Sequence, residues 1–166
     1  MNYAQIRDMD VVNGEGIAVS LFVSGCTHRC VNCFNKEAWN FNYGQPWTQE
    51  VEDKFIELCQ RDYVDCISIL GGDLLCQKYE EIVLLLHRLH MVEKPIYVWT
   101  GYTLEELKYD DIYVPLCEYV DYLIDGRFEE DKTDIKLRLR GSSNQRIWDL
   151  RGETPIDVTE EKGWRK

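Results

Sequence analysis

Four short apolar runs constrain the fold more than any other feature of the chain: IAVSLFVSG (17–25), CISILGG (66–72), PIYVWTG (95–101) and VDYLIDGRF (120–128). Each is nearly continuous in apolar residues and rich in β-branched and aromatic ones, as a strand buried on both faces is. The stretches between them have helical spacing. Thr48 stands as the N-cap of a helix reaching about Arg61, with Glu50 in its first turn and Val51, Phe55 and Leu58 on one face. Ile82, Val83, Leu85, Leu86 and Leu89 form a stripe over 79–93 that must stop before Pro95. Thr103 and Glu106 stand in capping-box relation directly after the third run. Strands alternating with helices imply βαβ units, hence an α/β fold with a mainly parallel sheet and helices on its faces. A closed eight-unit barrel typically takes about 250 residues, so a compact partial (βα) barrel is expected. Ligands then belong at the carboxyl ends of the strands, in the loops 26–36, 71–76, 100–103 and 125–128.

The pattern fills one domain over 1–150. Within its last part, DIKLRLRG alternates Ile135, Leu137 and Leu139 with Lys136, Arg138 and Arg140, which predicts a half-exposed strand with a basic outer face. Residues 151–166 read as a polar, loosely held C-terminal tail. With 166 residues, 45% of them apolar, the chain has enough material for one core. Thirty acidic against nineteen basic side chains give a net charge of −11, which repels phosphate backbones and anionic membranes. Nucleic acid and membrane are therefore excluded as general partners. The N-terminal MNYAQIRDMD has no signal-peptide pattern, and a cytoplasmic location is expected.

Seven cysteines make an odd set without a secreted framework, so reduced thiols are expected. Cys59, Cys66 and Cys117 fall in a helix, a strand and an apolar stretch, where packing is the expected role; Cys76 has no role set by its spacing. Cys26, Cys30 and Cys33 are different, because CTHRCVNCFN (26–35) puts all three in one polar loop leaving the first apolar run. Three readings compete with buried packing. His28 could complete a zinc set, although the Cys26 to His28 spacing is tighter than usual zinc pairs. CVNC could be a redox pair, leaving Cys26 unexplained. An iron–sulfur cluster usually takes four thiolates, so three would leave one iron open to a ligand.

CTHRCVNCFN matches the CxxxCxxC motif of the radical S-adenosylmethionine superfamily. With VNGEG (12–16), LFVSGC (21–26), CFNKEAW (33–39), GQPWT (44–48), VWTGYTLEEL (98–107), DGRF (125–128) and RGSSNQ (140–145), most of the chain resembles the activating proteins of anaerobic (class III) ribonucleoside-triphosphate reductases. The resemblance implies a partial barrel of radical S-adenosylmethionine type and a 4Fe-4S cluster, one per chain, on Cys26, Cys30 and Cys33. S-adenosyl-L-methionine would chelate the fourth iron, with Asn32, Cys33 and Phe34 on one side of it and Gly71, Gly72 and Asp73, in the position of the family's GGEP-type segment, on the other. Phe34 replaces a more usual tyrosine and Leu74 the family's proline. Thr100, Gly101, Tyr102 and Asp125 are further candidates for the same pocket. The implied reaction is reductive cleavage of S-adenosylmethionine and formation of a glycyl radical on the large subunit of the reductase. No side-chain acid or base is needed for it. An electron donor such as a reduced flavodoxin is implied, and Arg138, Arg140 and GSSNQ are expected near the docking face. The alternatives are an activase of another glycyl radical enzyme, or a non-catalytic iron–sulfur or zinc module.

Overall fold

A computed structural model describes residues 1–161. The four apolar runs form the strands β2 (Ala18–Ser24), β4 (Cys66–Gly71), β5 (Ile96–Trp99) and β6 (Tyr122–Asp125), paired in that order and parallel. The expected helices follow: α1 (Gln49–Cys59) under its Thr48 cap, α2 (Tyr79–His90), and α3 (Leu104–Leu107) with the full Thr103–Glu106 capping box. A further helix, α4 (Tyr113–Tyr119), precedes β6.

The sheet is mixed and not closed, not mainly parallel throughout. Antiparallel strands extend both sides of the parallel centre: β1 (Asn2–Asp10) and β3 (Gln45–Pro46) beyond β2, and β7 (Arg146–Asp149) and β8 (Ile156–Asp157) beyond β6. β1 leaves little signature in the sequence because NYAQIRDMD carries no continuous apolar run and its register against β2 is interrupted at two places.

The helices cover one face of the sheet, which corrects the expectation of helices on both. Val19, Leu21, Val23, Ile67, Ile69, Val98 and Leu123 point into the main core with Phe55, Leu85, Leu86, Leu89 and Leu116. Progression in one direction, β2 to β4 to β5 to β6, through right-handed crossovers puts each connecting helix on the same side. The other face carries Ala18, Cys66, Tyr97, Tyr122 and Ile124 and is closed by Leu139, Ile147 and Val158. The 10–16 turn also crosses that face. Ser68 Oγ donates to the Asn13 carbonyl, and Tyr97 Oη lies 3.2 Å from Glu15.

Two expectations at the end of the chain are overturned. DIKLRLRG is not an extended strand: Leu139 has φ 61°, which an L-residue does not adopt within a strand, and Ile135 is 93% exposed while Leu139 is buried. Arg140 is buried too, donating to the Gln145 carbonyl at 3.1 Å, and Arg138 donates to the Gly14 carbonyl at 3.3 Å, so no basic outer face forms. Within 151–161, β8 pairs with β7 and Val158 and Thr159 are buried, so this part of the polar end is tied to the sheet. Residues 162–166 lie outside the described residues.

Candidate metal and cofactor site

The carboxyl ends of β2, β4, β5 and β6 open on a cavity of about 180 Å³. Cys26, Cys30, Cys33 and Phe34 line it from the loop after β2, Gly71, Gly72 and Asp73 from the end of β4, and Thr100 and Gly101 from the end of β5. Gly126 and Phe128, after β6, and Gly141 and Gln145 close it. Three loops predicted as ligand-bearing therefore meet with the fourth in one place.

The thiol loop begins as β2 ends. Gly25, at φ 101°, turns the chain, and its amide donates to the Ala38 carbonyl at 2.7 Å; Cys26 N donates to Trp39 O at 3.3 Å. Arg29 and Asn32 then adopt positive φ (51° and 52°), and Cys33 N donates to Cys30 O at 3.1 Å. This coiled path turns three cysteine side chains to one side. The segment after β4 is bonded to the base of that loop, with Gly72 N on Val23 O at 2.7 Å and Asp73 N on Gly25 O at 2.9 Å. A Cβ on Gly72 would lie 2.7 Å from Gly25 O and 3.0 Å from Ala38 O, so the close approach requires glycine.

Asp73 is fully enclosed and organises the site. Its Oδ2 accepts from Thr100 Oγ1 (2.9 Å) and Gly101 N (2.8 Å) and bonds His28 Nε2 (2.8 Å), while Oδ1 accepts from Leu75 N (2.8 Å). One carboxylate thus ties the ends of β4 and β5 to the thiol loop. His28, left without a role by its sequence position, has a side chain 4% exposed and stacks edge-on with Tyr102 at 4.5 Å. Burial alone would lower its pKa, but the bonds to Asp73 and Cys76 outweigh that and push it up to about 9. Burial raises the Cys30 thiol. Between Cys26 and Cys76, the hydrogen bond they share and then burial hold Cys26 protonated, and the same bond favours thiolate on Cys76.

Not every expected residue reaches the cavity. Asn32 is outside it, its amide donating to Glu130 at 2.6 Å and its carbonyl accepting from Lys36 at 3.1 Å. Asp125 does not line it either: its buried carboxylate accepts from Leu104 N at 2.7 Å and from Arg146 at 2.6 Å, anchoring α3. Tyr102 acts behind His28. The RGSSNQ segment is a latch, with Gln145 Nε2 donating to Gly126 O at 2.9 Å and Asn144 Nδ2 to Arg127 O at 2.8 Å. Phe34 is 74% exposed at the rim, its ring 5.1 Å from that of Phe128. Cys59 and Cys66 are buried as expected of packing residues.

The donor set fits an iron–sulfur cluster with an open position. Three thiols from one loop line the cavity, and no other cysteine among the described residues lines it. Trp39, also on the lining, has a buried Nε1 with no hydrogen-bond partner among the described residues, an orphan donor at the edge of the cavity. At Gly126 a Cβ would find no heavy atom nearer than 3.7 Å, so the glycine leaves volume free.

Residues 12–148 match the family described as "4Fe-4S single cluster domain". The chain is 41% identical over 155 residues to the anaerobic ribonucleoside-triphosphate reductase-activating protein of Pasteurella multocida (strain Pm70), covering 89% of this chain and 97% of that protein. Identity to the protein of the same name from Escherichia coli (strain K12) is 42% over 156 residues, covering 91% and 100%. The protein of that name from Enterobacteria phage T4 is 39% identical over 151 residues, covering 89% and 94%.

Proposed function

The chain belongs to the family of anaerobic ribonucleoside-triphosphate reductase-activating proteins, and from that premise we propose that it is a radical S-adenosylmethionine activase on a partial (βα) barrel. Its product would be a glycyl radical on the large subunit of the anaerobic reductase. The observation that carries this reading is that Cys26, Cys30 and Cys33 line one cavity with Gly71 and Gly72 at the carboxyl ends of four parallel strands.

Cys26, Cys30 and Cys33 would hold the 4Fe-4S cluster and leave one iron for the amino and carboxylate groups of S-adenosylmethionine. A cluster held by these residues would supply one-electron reducing chemistry toward the sulfonium of a bound S-adenosylmethionine. The protein's own work is placement and exclusion of water. Phe34 at the rim offers a ring face to the adenine. Gly71 and Gly72, held as glycines by the close approach of β2 and the base of the thiol loop, would present backbone groups at the end of β4 to the methionyl ammonium. Asp73, saturated by its four donors, acts through the segments it holds. Asn32, paired with Glu130 and Lys36, would have to leave those partners to contact the cofactor.

The exposed rim around Phe34 and Phe128 is where the glycine-bearing loop of the reductase would enter. A low-potential one-electron donor such as a reduced flavodoxin is required. Arg138 and Arg140 each donate to a backbone carbonyl of their own chain, which favours the aromatic rim over them as the docking face.

Anaerobic reconstitution followed by reduction and incubation with S-adenosylmethionine and reductase from the same source should give a glycyl-radical EPR doublet and stoichiometric methionine. A reducible cluster that cleaves S-adenosylmethionine without forming the doublet would refute the partner. The absence of both would refute the activase.

A further inference from the structure

His28 and Cys76 take no part in the proposed reaction, yet the fold brings both to Cys26. The ligand atoms of the three residues lie within 4.8 Å of one another. They come from two segments, the thiol loop and the 3-10 turn Leu74–Cys76 that follows β4. His28 Nε2 is committed to Asp73, and its Cδ2 edge faces Gly101, where a Cβ would lie 2.4 Å away. Nδ1 is therefore the ring nitrogen left for another bond. An imidazole held from behind by a buried carboxylate is the outer-shell arrangement that orients metal-binding histidines. Thr27 Oγ1, 3.3 Å from Cys76 Sγ, adds a hydrogen-bonding partner to one sulfur.

The spacing suits one ion. Tetrahedral zinc, with bonds of about 2.3 Å to sulfur and about 2.0–2.1 Å to nitrogen, separates its ligand atoms by roughly 3.6–3.8 Å. The trio would close by about 1 Å at most to reach that geometry. Two sulfurs, one imidazole and an open fourth position for water select a thiophilic divalent ion over calcium or magnesium.

We propose that Cys26, His28 and Cys76, with Asp73 behind the imidazole, form a second metal site for a single zinc-type ion, occupied in the cluster-free protein. Cys26 belongs to both sets, so ion and cluster exclude one another; this exclusion rests on the reading of Cys26 as a cluster ligand. Zinc would then hold the thiol loop and the turn after β4 together, and would have to leave before a cluster assembles on Cys26.

The test is anaerobic titration of cluster-free protein with cobalt(II), read by thiolate-to-cobalt charge transfer and tetrahedral d–d bands, then displacement with zinc. One equivalent should bind per chain. Cys76→Ser and His28→Gln should weaken binding by more than the roughly 10–100-fold that loss of an outer-shell partner costs, and Cys30→Ser should leave it unchanged. Iron–sulfur reconstitution should show the reverse, intact in Cys76→Ser and lost in Cys30→Ser. One equivalent of zinc should block reconstitution in the parent and not in Cys76→Ser. Cobalt binding that is equal in Cys76→Ser and the parent, or lost in Cys30→Ser, would overturn the site while leaving the cluster reading in place. A cluster that still assembles in Cys30→Ser would overturn the cluster reading while leaving the divalent site in place.

Discussion

On one side of the cavity a single buried carboxylate, Asp73, takes bonds from four groups on three segments; on the other, the residues carrying Cys30 and Cys33 run through two left-handed turns with Val31 and Phe34 more than 70% exposed. The two walls are stabilised by different means. The strand-end wall is complete without a ligand, since every oxygen of its central carboxylate is satisfied. The thiol wall holds non-glycine residues at positive φ, each costing of order 1–3 kcal/mol, and exposes its apolar side chains. It is a wall that a bound cluster would complete. On the proposed reading, the rigid half would fix where a cofactor sits and the compliant half would let thiolates close on iron.

The sharpest way to break this contrast is to remove one of the three cysteines proposed to hold the cluster. Alanine at Cys26, Cys30 or Cys33 should abolish cluster absorbance and S-adenosylmethionine cleavage together, while urea unfolding of the cluster-free protein shifts by no more than about 0.5 kcal/mol for Cys30 and Cys33. Retained cleavage in any of the three would mean the ligand set is wrong. A large stability loss at Cys30 or Cys33 would mean the thiol wall is as load-sharing as the other.

Asp73→Ala should behave in the opposite way. It strips the partner from a buried imidazolium and leaves Thr100 and the Gly101 amide without their acceptor, a loss of about 3–5 kcal/mol for breaking such a buried pair that urea midpoints will show. A change below about 1 kcal/mol would refute Asp73 as the organising residue. Gly72→Ala probes the joint between the walls. Its Cβ would meet the backbone carbonyls of Gly25 and Ala38, which are not flexible ends, so overpacking should cost about 1–3 kcal/mol and lower iron content as well. Normal iron content in a destabilised Gly72→Ala protein would show that the walls are not coupled there.

How much of this was readable in the sequence follows the same division. The four parallel strands were legible because burial on both faces writes itself as continuous apolar runs, and α1 to α3 because caps and stripes agree. The cysteine spacing and the GGD turn located the cavity from two separate places in the chain. Asp73 was visible only as a neighbour of two glycines; its role depends on His28 and Thr100, 45 and 27 residues away, and no local pattern records such pairings. DIKLRLRG misled because its alternation is real but Leu139 turns back at positive φ to cover the sheet. β7 and β8 are short, with pairing supplied by the edge of β6, so tertiary context decided them.

The weakest expected effect sits outside the strand-end wall, where Arg146 bridges Asp125 and Glu105 at 2.6 Å each. The Arg146 hydrogen bonds, against a small desolvation cost, bring the Glu105 carboxyl from an ordinary 4.5 down to about 2. A depressed carboxylate contributes stability that is present above its unfolded pKa and lost as pH falls through the folded value. Glu105 should therefore help at pH 5 and above and stop helping between about 4.5 and 2. Its side chain is 57% exposed, so solvent screening limits the contribution to about 1 kcal/mol or less. Comparing acid unfolding of the parent with that of Glu105→Gln isolates it: the two curves should differ above pH 4.5 and converge toward pH 2. Cobalt binding and cluster content should be the same in both proteins at neutral pH, because the clamp supports α3 and β6 and not the thiol loop. Curves that stay apart at pH 2 would mean the glutamate contributes by packing and not by charge.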